Sequence, residues 1–447
     1  MSDPSSLNPP GNGTALTNDL MFHLKASGVR AKNYRCSVLP TNKNLFLPQD
    51  TTIIYVPCGR RNSYLNCGSS YMRFTVKNMD ATNIIRFDGN AGSLIQRLDI
   101  FHGSALLESI IGYNMVTNYI LDMQASASQR CGLSSMYGFD TTGDRSGFPI
   151  NPSAQATFCL PIFSGVIGLL NDKYLPTGWL SDDIRIEITW ESAAVGLCAA
   201  GGTPTFNIID FQLELDFCEL SDEGEDLTRS YTDPTTEPIY LHGTSWKRYT
   251  SSLASGTAGS YATLVPARFA SLKQICMLPI RSTEFASATS YSIGSRINPC
   301  IDSYYWRIGS SIIPNKPVVL NNINNTGSYS EGFAELLKSW HSLHTVHNTC
   351  CLGLEYNVND VAIANTSVVA LQVTGTSYKN GFVIAQELES FAQRSDVLLC
   401  GLNTLSSQLF FEANINATGP AAAYSLNFFA WYDHILMIQN GLMSVKF

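Results

Sequence analysis

The sequence predicts an all-β protein made of two tandem eight-stranded jelly rolls, each with one short helix. Three observations support this prediction. A strand-like run followed by Gly-Ser and aliphatic residues occurs at Gly103 and again at Gly309, close to half the chain length later, and such repetition indicates duplicated folding units. The chain is rich in aromatic residues and glycine but only 14% charged, as in β-sandwiches with glycine-rich turns. Residues 211–217 alternate strictly between apolar and polar, which is typical of a half-buried strand.

The length of the chain also indicates two domains, because 447 residues exceed what one ordinary hydrophobic core organises. We expect the boundary at the acidic stretch of residues 221–226, since a run of like charges is not expected inside a core. The predicted division is a flexible N-terminal arm over residues 1–27, a first jelly roll over 28–222 and a second over 223–447.

The elements of the first half follow from apolar runs that are bounded by turn residues. Strands are predicted at residues 52–56, 71–76 and 95–100, from Phe158 onward, and at 184–190 and 211–217. A helix is expected at about residues 105–123. A loop rich in Gly and Ser is expected to follow it, to about residue 157.

The second half repeats this order. Strands are predicted at residues 238–241, 274–279, 303–308, 368–373, 409–413 and 424–431, with a helix at about 332–344. The chain ends in a predicted hairpin over residues 435–445, because Asn440-Gly441 is a strong signal for a tight turn. The long loops at about 124–157 and 345–378 each follow a helix, and we expect them to lie together on one outer face.

The net charge and the cysteine pattern restrict the cellular compartment and the binding partners that we expect. A net charge of −8 argues against non-specific coating of nucleic acid, because phosphate binding needs a basic surface. The twelve cysteines are scattered without a CxxC motif, which favours a reducing compartment. No secretory signal and no membrane-spanning stretch is evident, so we expect an intracellular product. A small basic cluster is expected to meet an anionic partner; it consists of Lys25, Arg30, Lys32 and Arg35.

One cluster of the sequence has the residue types of a metal site: His341, His344, His347, Cys350 and Cys351. Steps of three residues turn about 300° on a helix, so these side chains diverge. No acidic partner is evident that could orient a histidine ligand. The pattern is better explained as the polar side and exit of an amphipathic helix, and no metal site is predicted.

Two further patterns contain residue types that occur in catalytic sites. Ser146 lies in a Gly-Asp-Arg-Ser-Gly stretch, but this is not the Gly-x-Ser-x-Gly elbow that exposes a nucleophile. Asp182 and Asp183 are adjacent, so in a strand they would point to opposite faces, and a turn at the entry of a strand is expected instead. No phosphate-binding loop or dinucleotide fingerprint occurs. The sequence predicts no catalytic, cofactor-binding or metal site, and hence no enzyme.

Several longer segments resemble the double jelly-roll major capsid proteins of tailless icosahedral double-stranded DNA viruses of the adenovirus lineage. They are residues 158–168, Lys173-Tyr174-Leu175-Pro176 and the strand to Trp190, then residues 303–318 with Ile308-Gly309-Ser310, residues 395–404, and the terminal Tyr432-Asp433 strand and hairpin. The resemblance covers most of residues 30–447. It is nearest to the proteins of polinton-like viruses and adintoviruses, with small relatives of the giant-virus capsids as an open alternative.

The resemblance implies a structural major capsid protein. Three chains would form a homotrimeric capsomer of pseudo-hexagonal outline that tiles an icosahedral shell around a double-stranded DNA genome, in a virion assembled inside the host cell. The implied partners are neighbouring capsomers, a penton protein at the vertices, minor capsid proteins and an internal membrane, but no sequence-specific nucleic acid and no cofactor.

The alternative is a two-domain jelly-roll protein that binds or hydrolyses carbohydrate, because a fold alone does not fix function. Such a protein should show clustered exposed tryptophans and paired carboxylates at a groove. The six tryptophans are spread along the sequence, and several of them lie in strand-like positions. The sequence therefore favours the capsid interpretation.

Overall fold

The computed structural model describes most of the chain. The described residues are 28–141, 146–168, 173–199, 201, 203–232, 235, 237–287, 290–294, 296–320, 329–343, 381–391 and 398–447. The predicted arm at residues 1–27, the strand at 368–373 and the loop at 345–378 lie outside these ranges.

The first half of the chain is mainly strands. In chain order its elements are β1 (Ala31–Val38), β2 (Leu45–Phe46), β3 (Thr51–Val56), β4 (Ser63–Asn78), β5 (Ile85–Phe87), β6 (Ile95–His102), β7 (Ala105–Ile111), α1 (Tyr113–Gln124), α2 (Ala127–Gly132), α3 (Ser134–Tyr137), β8 (Pro149–Ile150), β9 (Gln155–Pro161), β10 (Ile184–Trp190), α4 (Ala193–Gly196), β11 (Leu197–Ala199) and β12 (Phe206–Leu220).

A helix, α5 (Asp222–Tyr231), leads into the second half. The elements that follow are β13 (Ile239–Leu253), β14 (Gly259–Val265), β15 (Leu272–Arg281), β16 (Ile301–Ile308), β17 (Ser311–Val319), α6 (Ser330–Lys338), β18 (Ile384–Glu387), β19 (Leu409–Ile415), β20 (Tyr424–Gln439) and β21 (Leu442–Lys446).

Two antiparallel sheets face each other in the first half, one of five strands, in which β2 also pairs with β12, and one of four. One has the order β1-β12-β4-β9 and the other β3-β10-β6-β7. Aromatic rings fill the space between the sheets: Trp190 of β10 contacts Phe74 of β4 and Phe211 of β12, with ring centroids 5.4 and 5.9 Å apart. This strand order is that of an eight-stranded jelly roll.

The second half repeats the arrangement. Its sheets have the orders β13-β20-β15-β18 and β14-β19-β16-β17, which match the first half strand for strand. Trp306 of β16 meets Phe428 of β20 across the sheets at 6.0 Å, as Trp190 meets its partners in the first roll. The prediction of two tandem jelly rolls is confirmed.

The repeated Gly-Ser motif marks the same turn in both rolls. Gly103 connects β6 to β7 and Gly309 connects β16 to β17, and their φ angles of 57° and 59° lie in the left-handed region that favours glycine. The predicted helix at about residues 105–123 is wrong in its first part. Ala105–Ile111 pairs with β6 as a strand, and Gly112 at φ 73° turns the chain into α1.

The acidic stretch after β12 is helical rather than a linker. Ser221 caps α5 by accepting from the amide of Gly224, and Asp222 and Glu223 lie in the first turn, where the helix dipole favours negative charge. Glu225 is buried, against our expectation, because it accepts hydrogen bonds from Tyr64, Trp179 and Arg229 at 2.8, 2.7 and 2.8 Å. A domain boundary between residues 222 and 223 stays a prediction.

The predicted loop at 124–157 also contains regular structure. Helices α2 and α3 and the short strand β8 lie within it, and Ser126 with Gln129 forms a capping box at the start of α2. The helix expected at 332–344 is α6, which begins at Ser330 and ends at Lys338. The predicted terminal hairpin is confirmed, with Asn440-Gly441 between β20 and β21.

Two further properties concern the cysteines and the helices of the described ranges. The ten cysteines within these ranges are all free thiols. No helix in the same ranges is long and apolar enough to cross a membrane.

Candidate functional site at the seam between the two rolls

The two rolls are packed against each other along an edge strand of the first. β7 ends the sheet β3-β10-β6-β7, and it lies against both β13 and β21. Gly112, directly after β7, lies against Phe429 of β20, and the adjacent Phe428 points into the core of the second roll, so β7 faces the outer surface of that sheet. We call this contact, together with α1 and the turn around Gly165, the seam. Buried apolar residues form one continuous core across it.

Two glycines allow the backbones to approach closely at the seam. A Cβ atom on Gly165 would lie 2.4 Å from the carbonyl oxygen of Thr244 and 2.3 Å from the ring of His434. A Cβ atom on Gly243 would lie 2.4 Å from the carbonyl oxygen of Gly165. A side chain at either position would therefore force the rolls apart. The amide of Gly165 also donates to Glu108 of β7 at 3.2 Å.

Hydrogen bonds fix the C-terminal hairpin to the first roll. The amide and hydroxyl of Ser181 both donate to the carbonyl oxygen of Gly441, at 2.9 and 3.0 Å. The amide of Met443 donates to Nδ1 of His102 at 3.3 Å. Burial lowers the pKa of His102, which favours the neutral imidazole that can accept this bond. The turn at Gly103 lies at the same end, against Asp182, and we call this end the base.

A buried ion pair joins the rolls on the α1 side of the seam. Asp122 of α1 accepts hydrogen bonds from Arg296 of the second half and from Arg130 of α2. The side chain of Arg296 is only 1% exposed. Asp88 accepts the amide of Gly294 at 3.1 Å nearby. Removal of one member of a buried pair leaves an uncompensated charge, so these contacts fix the relative placement of the rolls.

An aromatic cluster lies beside this ion pair. Trp246, Trp340 and Trp431 have ring centroids 5.6 to 6.4 Å apart, and Tyr119 of α1 packs on the first two. The three tryptophans line a cavity of about 280 Å³ together with Ile120, Gln124, Phe163 and His341. These three tryptophans are spread along the sequence but meet in the folded chain, where Trp246 is only 1% exposed. The register of β13 with β20 places Trp246 opposite Trp431, and the turn after α6 brings in Trp340.

His341 is held between two carboxylates at the rim of this cavity. Its Nδ1 lies 3.2 Å from Glu387 and its Nε2 lies 3.0 Å from Glu389. Hydrogen bonds to Glu387 and Glu389 raise the pKa of His341 to about 9, so the imidazolium donates from both nitrogens. Burial alone would raise the pKa of Glu389, but His341 and Lys273 outweigh it and lower that pKa to about 2. The sequence showed no acidic partner for His341, because β18 and Glu389 are distant along the chain.

The same three side chains are close enough to be considered as metal ligands. A single ion, however, binds one nitrogen of an imidazole, and the two carboxylates here lie on opposite nitrogens of the ring. The arrangement therefore fits a histidine that donates to two carboxylates, Glu387 and Glu389, better than a metal centre. His344, His347, Cys350 and Cys351 lie outside the described residues.

A serine, an aspartate and a histidine also meet on the second roll, but in an order that does not activate a nucleophile. Asp433 accepts from Ser271 at 2.5 Å and contacts Nε2 of His242 at 2.9 Å. In a catalytic triad the histidine stands between the serine and the carboxylate. Here the carboxylate stands in the middle, so His242 cannot take a proton from Ser271 directly. These residues form a structural network, which Lys273 joins at 3.8 Å from Asp433.

The remaining sequence candidates are structural where the chain is described. Ser146 is buried, and its carbonyl oxygen accepts from the amide of Asp140; residues 142–145 lie outside the described ranges. Asp183 accepts from the amide of Cys58 at 2.9 Å, and both aspartates lie directly before β10, at the entry of that strand.

No protein-family model matches the sequence, and no curated protein matches it. Solved structures do match over almost the whole chain. The PBCV-1 protein VP54, fitted into a reconstruction of the virophage Sputnik, aligns with a TM-score of 0.60 at 11% identity, covering 95% of this chain and 98% of that one. The Faustovirus major capsid protein gives 0.59 at 8% identity, with coverage of 94% and 92%. The mavirus major capsid protein gives 0.56 at 10% identity, with coverage of 98% and 96%. At these identities the similarity establishes a shared double jelly-roll fold.

Proposed function

We propose that this chain is a structural major capsid protein that acts as a homotrimer of pseudo-hexagonal outline. Trimers would tile an icosahedral shell around a double-stranded DNA genome. The observation that carries the proposal is that the surfaces joined at the seam are present a second time in the chain, where no other roll covers them among the described residues.

The repeat defines these second surfaces. β17 occupies in the second roll the position that β7 occupies in the first, and both end their sheets. The outer face of β1 and β12 corresponds to the face of β13 and β20 that β7 covers. β17 is largely exposed, and its side chains Ile312 and Val319 are 42% and 44% exposed. β1 is also exposed over most of its length.

A second copy could therefore place its β17 against the β1–β12 face of the first, as β7 packs within one chain. Three copies would close a ring in which contacts within chains and contacts between chains alternate. Heterologous contacts of this kind close into a ring of three when each copy is rotated by one third of a turn relative to the previous one. The six similar rolls would give the outline of a hexagon, which packs without gaps on a shell facet.

The comparison supports this proposal, since the matched Faustovirus and mavirus structures are major capsid proteins. We further propose that the protein resides in the virion capsid, is assembled inside the host cell and contacts penton and minor capsid proteins. An internal membrane is a further partner in this proposal, whereas sequence-specific nucleic acid and catalysis are not part of it.

Native mass spectrometry and negative-stain electron microscopy of the purified protein test the proposal. We expect a stable trimer as the dominant species and projections with a hexagonal outline. A soluble monomer as the dominant species at micromolar concentration would contradict both the trimer and the capsid function.

The tryptophan cluster favours one alternative, a carbohydrate-binding protein, because aromatic faces stack on sugar rings. The nearby carboxylates Glu387 and Glu389 are engaged by His341 and Lys273 and do not form a free acid–base pair. Screening of the protein on a glycan array separates the two functions. The alternative would be favoured if the protein forms no trimer and binds a glycan, and if Trp340→Ala abolishes that binding.

A further inference from the structure

Two buried histidines lie at the seam, one from each roll. They are His102 of β6 and His434 of β20, which are 3% and 2% exposed. The Nε2 atom of both rings is buried and has no hydrogen-bond partner in the described parts of the chain. A neutral imidazole tolerates such surroundings, but a charged N–H group that is buried without an acceptor is strongly unfavourable.

His434 lies where the two rolls approach most closely. It stands opposite Gly243 in the pairing of β13 with β20. Its ring occupies the space that a side chain at Gly243 would need, because a Cβ atom there would lie 2.8 Å from Nε2. The same edge of the ring lies against Gly165 of the first roll, whose added Cβ atom would be 2.3 Å from Cε1. A proton on Nε2 therefore cannot be hydrated unless the backbones of the two rolls separate.

Three ionisable side chains face His434: Glu108 of β7, His242 of β13 and Asp433 of β20. Both carboxylates already accept hydrogen bonds from other groups. Burial lowers the pKa of His434, and the neighbouring imidazole of His242 acts in the same direction. The two carboxylates and the backbone of Gly165 oppose this shift but do not cancel it. The closed seam therefore favours the neutral form of His434.

His102 has a similar position at the base. Its Nδ1 accepts the amide of Met443 in β21 at 3.3 Å, and the ring must be neutral for this bond to form. Protonation would put an N–H group at Nδ1, directly opposite the N–H of Met443, and a second one at the buried Nε2. Burial lowers the pKa of His102 and outweighs Asp182, the ionisable group that faces the ring and favours the proton.

These contacts give the seam a pH dependence of definite sign. An imidazole in water has a pKa of about 6.5, and the pKa of both rings is lowered below this value while the seam is closed. An open seam therefore binds more protons in mild acid. Closure is fully favoured above about pH 6.5 and is weakened as the pH falls below it. Between pH 7.5 and pH 5.5 each ring can shift the equilibrium towards opening by up to about tenfold.

We propose that the seam is an acid-sensitive joint, in which protonation of His102 and His434 in mild acid loosens the contact between the two rolls. Each roll keeps its own packing, because the aromatic contacts of Trp190 and of Trp306 between its sheets do not titrate. This inference concerns the single folded chain and does not depend on the proposed function.

Hydrogen exchange of the full chain at pH 7.5 and pH 5.5 tests the proposal, with rates corrected for the intrinsic effect of pH. The amide of Ser181 reports on the seam, because it donates to Gly441 of the other roll. The amides of the central strands β10 and β16 report on the two rolls. We expect protection at Ser181 to fall by at least about tenfold in acid, and protection in β10 and β16 by less than about threefold. A smaller fall at Ser181, or an equal fall in the two strands, would overturn the proposal.

Substitutions assign the effect to the two histidines. In the double variant His102→Asn with His434→Asn, an amide that does not titrate replaces each ring, and its oxygen can accept in the place of Nδ1. We expect protection at Ser181 to change by less than about threefold between the two pH values. His341→Gln is the matched control and should keep the full fall, because the pKa of His341 is raised to about 9 and the ring is charged at both pH values. A double variant that opens in acid like the unaltered protein would refute the proposal.

The pH at which the seam begins to open gives a second test that needs no substitution. Protection at Ser181 in the unaltered protein should begin to fall near pH 6.5, the ordinary pKa of histidine. Carboxylates titrate with ordinary pKa values of about 4, so a fall that begins only below about pH 5 would assign the effect to them and overturn the proposal, even if the double variant did not fold.

Discussion

The indole Nε1 of Trp340 donates a hydrogen bond of 2.8 Å to the hydroxyl of Tyr119. Tyr119 belongs to α1 of the first roll, and Trp340 follows α6 of the second, so this bond joins the two helices that occupy equivalent positions in the repeat. Gln124 at the end of α1 and His341 after α6 line the same cavity. The chain therefore leaves α1 and α6 at the same cavity, whereas the shared outer face of the two loops stays a prediction.

Replacement of Tyr119 by Phe should destabilise the protein without changing its fold. The Tyr119 hydroxyl accepts from Trp340 and also from Nε2 of Gln274 at 2.8 Å, and the side chain is 1% exposed. Loss of a buried acceptor leaves donors unsatisfied and costs about 1–3 kcal/mol. Urea denaturation should show this decrease in the free energy of unfolding, whereas Tyr55→Phe at an exposed position should change it by less than about 0.5 kcal/mol. Equal effects of the two variants would show that the bond across the seam contributes nothing.

Replacement of Gly165 by Ala should weaken the seam. The added methyl group would lie 2.4 Å from the backbone of Thr244, so the two rolls must shift, and overpacking of this kind costs about 1–3 kcal/mol. Gly132 in α2 offers a matched control, because nothing lies within 4 Å of its added Cβ. Gly132→Ala should be neutral or stabilise by up to about 1 kcal/mol. Thermal unfolding checks both, and a Gly165→Ala protein as stable as Gly132→Ala would contradict the close approach.

The repeat and its turns could be predicted from sequence because their signals are local. Gly103 and Gly309 stand where the chain requires a positive φ, and Asn440-Gly441 encodes a tight hairpin within adjacent residues. The sequence predicts helix where β7 lies because a short apolar run fits both the helical and the strand periodicity. Pairing with β6, which is a tertiary contact, makes this segment a strand.

The surroundings of Glu225 and His341 could not be predicted because their partners are far away along the chain. Glu225 reads as part of an acidic linker until Tyr64 and Trp179 are seen to donate to it. His341 lacks an acidic neighbour in sequence and gains Glu389 only through the packing of the segment after β18. A run of like charges predicts that all of its side chains are exposed. Glu225 is buried nevertheless, because three hydrogen bonds to its carboxylate compensate for the loss of water.

Stability should decrease from neutral to alkaline pH through His341. Its pKa is raised from 6.5 to about 9 in the folded protein, so its contribution is fully present below about pH 6.5 and is lost as the pH rises through 9. The groups that face it are Glu387, Glu389 and, beyond Glu389, Lys273. We expect a contribution of about 1–3 kcal/mol, given its partial exposure. The melting temperature of His341→Gln should therefore fall less between pH 6 and pH 9 than that of the unaltered protein. Parallel pH profiles for the two proteins would disprove this role.

Substitution on β17 should abolish assembly while leaving the chain folded. Ile312 and Val319 are exposed in the single chain, so replacing both by Lys removes no core contact and should change stability by less than about 1 kcal/mol. In the proposed trimer both side chains would be covered by the β1 face of the next copy, and burying two ammonium groups there without partners is strongly unfavourable. Native mass spectrometry should show monomer for the double variant, and circular dichroism should show unchanged β structure. Met136→Lys, on α3 and 38% exposed, is the control that should remain trimeric. If the double variant forms trimers at the concentration at which the unaltered protein does, β17 is not the assembly surface and the alternation of contacts around the ring is wrong.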